Sequence, residues 1–388
     1  MNLQNLRQAS HALRSQFFIC GVLFATWGVH VPTVKAHYGL DERELAGAML
    51  AAGVGSLLAL SQAGRAVAKL GPRGVALITG PAVCIAIASL IASTHIAALF
   101  ALMLAFGALM SLLDVAVNAE ASEIERLSGA HVMSGFHGMF SLGGMFGAGL
   151  GSAATALGFT PQQHLLVAAG IGLPVLVVGA FFMLPVEPQP AEAKPQSRIP
   201  RGALLLIGVL AALGLVTEGA MYDWSVLYMK QERGADTATA ALAYAAFSAA
   251  MAGGRFCGDW VRARWPSITV MRWSGALAAI GMALVLMLPW PTASLLTFAI
   301  VGLGLANVVP VLFSAASNLP GVPPAHGIAT VSSVGWLGMM AGPPMIGFIA
   351  HASSLAVGLI VVVVFAAVMA LAARQALAGV RDQRSPSQ

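Results

Sequence analysis

The chain has 388 residues, of which 58% are hydrophobic and only 9% charged, with a mean hydropathy of +0.83. Ordinary soluble domains carry about 25% charged residues, so this composition excludes a water-soluble globule and points to a polytopic membrane protein. The net charge of +5 does not indicate nucleic acid as a partner, because the basic residues are scattered through short loops rather than clustered.

In chain order, residues 1–15 are polar, and the apolar run after them is too long for the h-region of a signal peptide. A membrane-spanning helix needs about 20 apolar residues. On that rule twelve spans are expected, centred near about residues 24, 53, 84, 108, 145, 173, 214, 248, 279, 303, 337 and 363. One stretch, residues 187–201 (EPQPAEAKPQSRIPR), is rich in Pro and charge and reads as a linker. The expected fold is therefore all-α and polytopic, with a six-helix bundle in residues 1–186, the linker, and a second six-helix bundle in residues 202–388.

Basic residues set the orientation. With the N-terminus in the cytoplasm, only Lys35, Arg43, Lys230 and Arg233 of the 20 Lys and Arg residues fall outside. Both termini are then cytoplasmic, and the bias supports an even number of spans. The halves also look like repeats. Thr26-Trp27-Gly28 aligns with Thr217-Glu218-Gly219, Gly64-Arg65 with Gly254-Arg255, and Leu142-Gly143 with Leu337-Gly338, each pair roughly 190 positions apart. Two parallel halves suggest a substrate cavity at their interface near the midplane.

The residues that stand out are the polar ones inside apolar runs. Asp114, within LDVAVN, would cost roughly 2.5–3.5 kcal/mol at membrane depth, so it is expected to face a cavity. Asn118 is four residues on, placed to hydrogen-bond it from the same helix face. His137 opens the fifth span at a similar depth and could share a proton or a hydroxyl group with both. Glu218 and Asp223 lie in the seventh span, five apart and so on different faces. A carboxyl group in such a place changes its proton affinity as water or cations approach, which is what proton coupling requires. Asp114, Glu218 and His137 are thus the proton-coupling candidates, although each also suits a structural pairing.

Trp27, Asn118, Tyr222, Asp223 and Asn307 are candidates for contacting substrate, through ring stacking or amide hydrogen bonds. Trp224 fits an interfacial aromatic belt better. Glu120, Glu123, Glu125 and Arg126 read as a solvated helix end. Cys20, Cys84 and Cys257 read as free, packed thiols. No GxxxxGK[ST], HExxH, GxSxG or Cys/His cluster occurs, so no enzyme active site, cofactor or metal is expected.

The segments LDVAVNAEASEIE, MSGFHGMFSLGGMFGAG, EGAMYDWSVLYM and GGRFCGDW, with twelve spans and basic loops after the second and eighth, resemble the major facilitator superfamily. Within it they are similar to the YbjJ-type bacterial inner-membrane transporters, near the fucose permease group of sugar–proton symporters. The resemblance implies a monomeric, alternating-access carrier in the bacterial inner membrane. It also implies gating roles for Arg65, Arg73, Arg255 and Asp259. The superfamily's loop motif departs from pattern here, since Ala68 stands where an acid is usual and Asp259 offers the charge only in the second half. The fifth span lacks the Gly-Pro step of drug antiporters, while Gly342-Pro343-Pro344 lies in the eleventh. The first expectation is proton-coupled uptake of a small polar solute such as a sugar or related metabolite. The alternative is proton-driven efflux of a lipophilic compound. A membrane sensor or polytopic enzyme is a third class, disfavoured by the absence of a long hydrophilic segment.

Overall fold

The computed structural model describes residues 3–128, 132–184, 202–320, 322 and 324–379. The linker expected over 187–201 lies outside them. Thirteen helical elements follow one another: α1 (Leu3–Tyr38), α2 (Glu42–Ala88), α3 (Ile96–Ser128), α4 (Met133–Ala156), α5 (Pro161–Phe181), α6 (Ala203–Gln231) and α7 (Thr237–Phe256). The rest are α8 (Gly258–Arg264), α9 (Ser267–Met287), α10 (Pro291–Leu305), α11 (Val308–Ser317), α12 (Pro324–Ala352) and α13 (Leu355–Leu377).

These elements make twelve spans. Helix α2 holds two of them, joined at Gly71, whose φ of 70° is open to glycine and strained for other residues. Pro72 follows and donates no backbone hydrogen bond. Helices α10 and α11 are one span interrupted at Ala306-Asn307, because Pro310 has no N–H to offer the Ala306 carbonyl. Helix α8 is a short element beside the spans. Among the described residues, nine helical stretches are long and apolar enough to cross a membrane on those grounds alone. Helices α4 and α7 fall short because Gly and Ala dilute their apolarity. Their small side chains instead let them pack closely along the middle of the molecule, against each other and, for α4, against α1.

Side chains cap four helices at the face opposite the termini. Asp41 accepts from the Glu44 amide, Thr160 from Gln163, Asp236 from Thr239 and Ser354 from Val357. Each cap occupies a helix N–H that has no partner within its own helix.

The repeat expected from sequence holds at two of its three places. Thr26 and Thr217 each donate to the carbonyl four residues back, at 2.8 and 2.7 Å. Gly143 lies against Phe18 and Gly338 against Ala212, so α4 crosses α1 as α12 crosses α6. The third place differs. Gly64 has open space and Arg65 is exposed on Gln62, whereas Gly254 presses on Ala306 and Arg255 is turned inward. The halves meet along α4–α7, α2–α12 and α1–α6.

Large apolar side chains cover the outside, including Leu296 and Leu371, more than two-thirds exposed, as expected of a surface that meets lipid. At the face opposite the termini, the two halves touch through polar groups. Glu42 takes Lys35 at 2.8 Å and Gln231 at 3.3 Å, and His351 lies 3.5 Å from Asp41. Gly347 fits against Ala46 and Trp224 below them. Trp224 is fully buried there, so it is a packing residue and not part of an interfacial belt.

Candidate functional site: a carboxylate–guanidinium pair at the seam

Helix periodicity brings the site together. On α6, Glu218 and Tyr222 are four apart, and the Tyr222 hydroxyl donates to Glu218 Oε1 at 3.2 Å. On α7, Tyr244, Ser248 and Arg255 share one stripe of an otherwise Ala-rich helix. Arg255 Nη2 donates to the same Glu218 Oε1 at 2.9 Å, with the two side chains only 10% and 9% exposed. Arg255 Nη1 donates to Ser141 Oγ of α4, in the other half, at 2.7 Å. His137 lies one turn before Ser141, and Arg255 is the charged group that faces it. A guanidinium cannot shed its proton in a protein, so its burial requires the partner carboxylate.

Aromatic rings close over this pair. The Tyr222 ring lies 5.2 Å from those of Tyr244 and Phe247 and 5.6 Å from that of Phe24, which approaches Phe140. Toward the opposite face, Trp27 Nε1 donates to Asp223 Oδ1 at 3.3 Å across α1 and α6. Gly28 presses on the Tyr244 ring and the Tyr222 carbonyl, so a side chain there would force α1 away from α6 and α7. Trp27, Tyr222 and Asp223 are therefore neighbours, as a shared site requires.

The expected trio of Asp114, Asn118 and His137 divides. Asn118 Nδ2 donates to Asp114 Oδ1 at 2.9 Å and to the Asp114 carbonyl at 2.8 Å. Asp114 is partly exposed and faces Cys20 of α1. His137 instead sets its ring 5.4 Å from Phe17 and belongs with Arg255. No hydrogen bond joins it to Asp114 or Asn118 among the described residues.

The remaining candidates lie elsewhere. Asn307 sits at the α10–α11 break, its Nδ2 3.5 Å from the Gly254 carbonyl and its Oδ1 against Gly258, where it steadies the α7–α8 corner. Asp259 pairs with Arg262 within α8, and Arg73 lies 5.2 Å above the Phe181 ring. Glu120 is a correction. It is fully buried, not solvated, because its Oε1 accepts from the Leu184 amide at 2.6 Å. Glu123 and Arg126 do form an ion pair at the helix end, 2.5 Å apart. All three cysteines are free, but Cys257 is exposed.

Sequence reading passed over Ser141, Tyr244, Ser248 and the buried pair His30 and His164, whose ring nitrogens lie 2.8 Å apart. The stripe of Tyr244, Ser248 and Arg255 on an Ala-rich helix was the available signal for two of them. Among the described residues, no group of three or more His, Cys, Asp or Glu side chains could hold a metal.

The profile of the Major Facilitator Superfamily matches residues 15–326. The chain belongs to that superfamily. It is 36% identical over 344 residues to an uncharacterised MFS-type transporter of Yersinia pestis, covering 89% of each chain. It is 29% identical to the membrane protein MosC of Rhizobium meliloti, covering 93% of this chain and 88% of that one. A mutant of the nucleoside transporter NupG superposes with a TM-score of 0.72 at 14% identity, covering 94% of this chain and 99% of that one. The D-xylose–proton symporter gives 0.71 at 12% identity, covering 97% and 99%. These likenesses are of fold. The protein is thus a multi-pass inner-membrane, secondary active transporter that moves small molecules across the bilayer.

Proposed function

We propose that this carrier couples entry of a small polar solute, a sugar or related metabolite, to protons. The observation that carries the reading is Glu218, a carboxylate that shares one oxygen between Arg255 and Tyr222 at the seam of the two halves. A proton on that oxygen would weaken its hold on the guanidinium, so proton uptake and movement of the halves are linked there. Asp114, hydrogen-bonded to Asn118 and partly exposed, is a second proton site. His137, which faces Arg255, is read as a third proton-coupling candidate. Trp27, Tyr222 and Asp223, adjacent where α1 meets α6, are read as substrate contacts. Asn307, Arg65, Arg73 and Asp259 support the hinges and loop ends. The halves 1–186 and 202–388 are read as the two rocking bodies of a monomer, with both termini in the cytoplasm. The fold shared with the xylose symporter and the nucleoside transporter supports a polar solute, as does the resemblance to the YbjJ-type proteins near the fucose permease group.

A second reading is proton-driven efflux of a lipophilic compound. The aromatic rings of Phe24, Phe140, Tyr222, Tyr244 and Phe247 around the seam favour it, because they offer flat apolar surface.

The test is the unfolding temperature of the purified protein against sugars, nucleosides, organic acids, amino acids and lipophilic cations. A ligand that binds only the folded state stabilises it by RT ln(1 + [L]/Kd), so a concentration 100-fold above Kd adds about 2.7 kcal/mol. A polar hit weakened by Asp114→Asn or Glu218→Gln supports proton-coupled uptake. Stabilisation by lipophilic cations alone removes the uptake reading in favour of efflux.

A further inference from the structure

Ser141 is the point at which the buried ion pair of one half touches the other half. Arg255 and Glu218 both belong to the second bundle, and Arg255 Nη1 reaches across to Ser141 Oγ at 2.7 Å. Among the described residues this is the one hydrogen bond across the α4–α7 seam. The rest of that seam is made of small residues and carbon contacts, with Gly138 against the Phe256 ring and Gly144 against Ser248. Ser141 is only 1% exposed, so water does not compete for its hydroxyl. Arg255 Nε is buried without a partner, which leaves the guanidinium short of acceptors.

We propose that Ser141 is a positioning residue through which the charge state of Glu218 reaches the opposite bundle. The inference rests on the reading of Glu218 as a proton site. While Glu218 is ionised, its oxygen fixes the guanidinium between the bundles and keeps Nη1 on Ser141. Once Glu218 carries a proton, a neutral acid and one hydroxyl group are poor company for a buried cation. The guanidinium then turns toward water, the bond to Ser141 breaks, and α4 and α7 are free to slide over their glycines. The titratable groups facing Glu218 are Arg255 and Tyr244 from α7 and Tyr222 from α6, while His137 of α4 faces Arg255. No hydrogen bond or ion pair joins Glu218 to α1 or α12 among the described residues. Tyr222 also lies within reach of Ser141, so the contact is a three-way junction rather than a lone bond.

The test uses the full chain in lipid nanodiscs and needs no substrate. Spin labels are placed on the exposed positions Arg43→Cys and Ser353→Cys, one in each half, with Cys257→Ser to remove the exposed thiol. Distances between the labels are recorded from about pH 5.5 to about pH 8.5, so that proton activity varies about a thousandfold. The expected result is a pH-dependent shift, at least about threefold in the ratio of short to long distances, when Ser141 is present. Glu218→Gln and Ser141→Val should each abolish the shift, and Ser141→Thr, which matches Val in shape but keeps the hydroxyl, should retain it. A pH shift that persists in Ser141→Val but vanishes in Glu218→Gln overturns the role of Ser141 and leaves the proton site standing. A shift unchanged by Glu218→Gln, or no shift in the parent protein, overturns both.

Discussion

Glu218 and Arg255 differ in what each can do when left alone. A carboxyl group stranded in the membrane can take up a proton, but a guanidinium stays charged. Breaking a buried pair costs about 3–5 kcal/mol when the survivor cannot neutralise itself. Glu218→Ala should therefore approach that loss and Arg255→Ala should fall short of it. The double variant should be more stable than Glu218→Ala, which thermal unfolding of the three proteins in detergent will show. Glu120 follows a different rule. It binds the Leu184 amide, so Glu120→Ala should cost about 1–3 kcal/mol by leaving a buried N–H unpaired. At this scale the sequence was legible where partners share a helix. The four-residue spacing of Asp114 and Asn118 foretold their hydrogen bond. Ser141 was not legible, because a serine in a glycine-rich helix is ordinary until the tertiary register sets an arginine opposite it. Glu120 was misread because its neighbours Glu123 and Arg126 are solvated, and one helix turn separates the buried face from the wet one.

The helices are held by close approaches whose value is set by the partner helix. A methyl group on Gly107 would run into the Ala52 carbonyl, and one on Gly55 into that of Leu104, where α2 crosses α3. Gly149 has nothing within 4 Å. Gly107→Val should thus abolish folded protein in size-exclusion chromatography, while Gly149→Ala should be neutral or stabilise by up to about 1 kcal/mol through helix propensity. Glycine counts alone could not separate the two cases. Asp236 caps α7, and hydrogen bonds from the Thr239 hydroxyl and amide hold its carboxyl below the usual range. A lowered value means that the contribution is complete above the unfolded value of about 3.9 and fades as pH falls further. Asp236→Ala should cost about 1 kcal/mol at neutral pH, and the difference from the parent should shrink below about pH 4.

For the molecule as a whole, hydropathy and the basic-residue bias sufficed for twelve spans, including α4 and α7, which composition alone ranks below the others. The positions of the halves relative to each other were not readable, because that depends on which small-residue faces meet. The orientation has a direct check. Alkaline phosphatase fused after Gln388 should be inactive, and the enzyme inserted at Gly158, in the turn between α4 and α5, should be active. The reverse pattern would invert the topology.

The contacts between the halves at the face opposite the termini, Asp41 with His351 and Glu42 with Gln231, are partly exposed and polar. Such contacts are each worth about 0–1 kcal/mol, less than twice thermal energy. Polar closure at that face therefore biases the closed member of an open–closed pair only slightly, beside the apolar packing of Gly347 on Ala46 and Trp224. An antibody fragment or ligand that prefers one member by about 1.4 kcal/mol would redistribute the population tenfold. So weak a polar closure lets that face part at little local cost, as a carrier that opens alternately to its two sides requires.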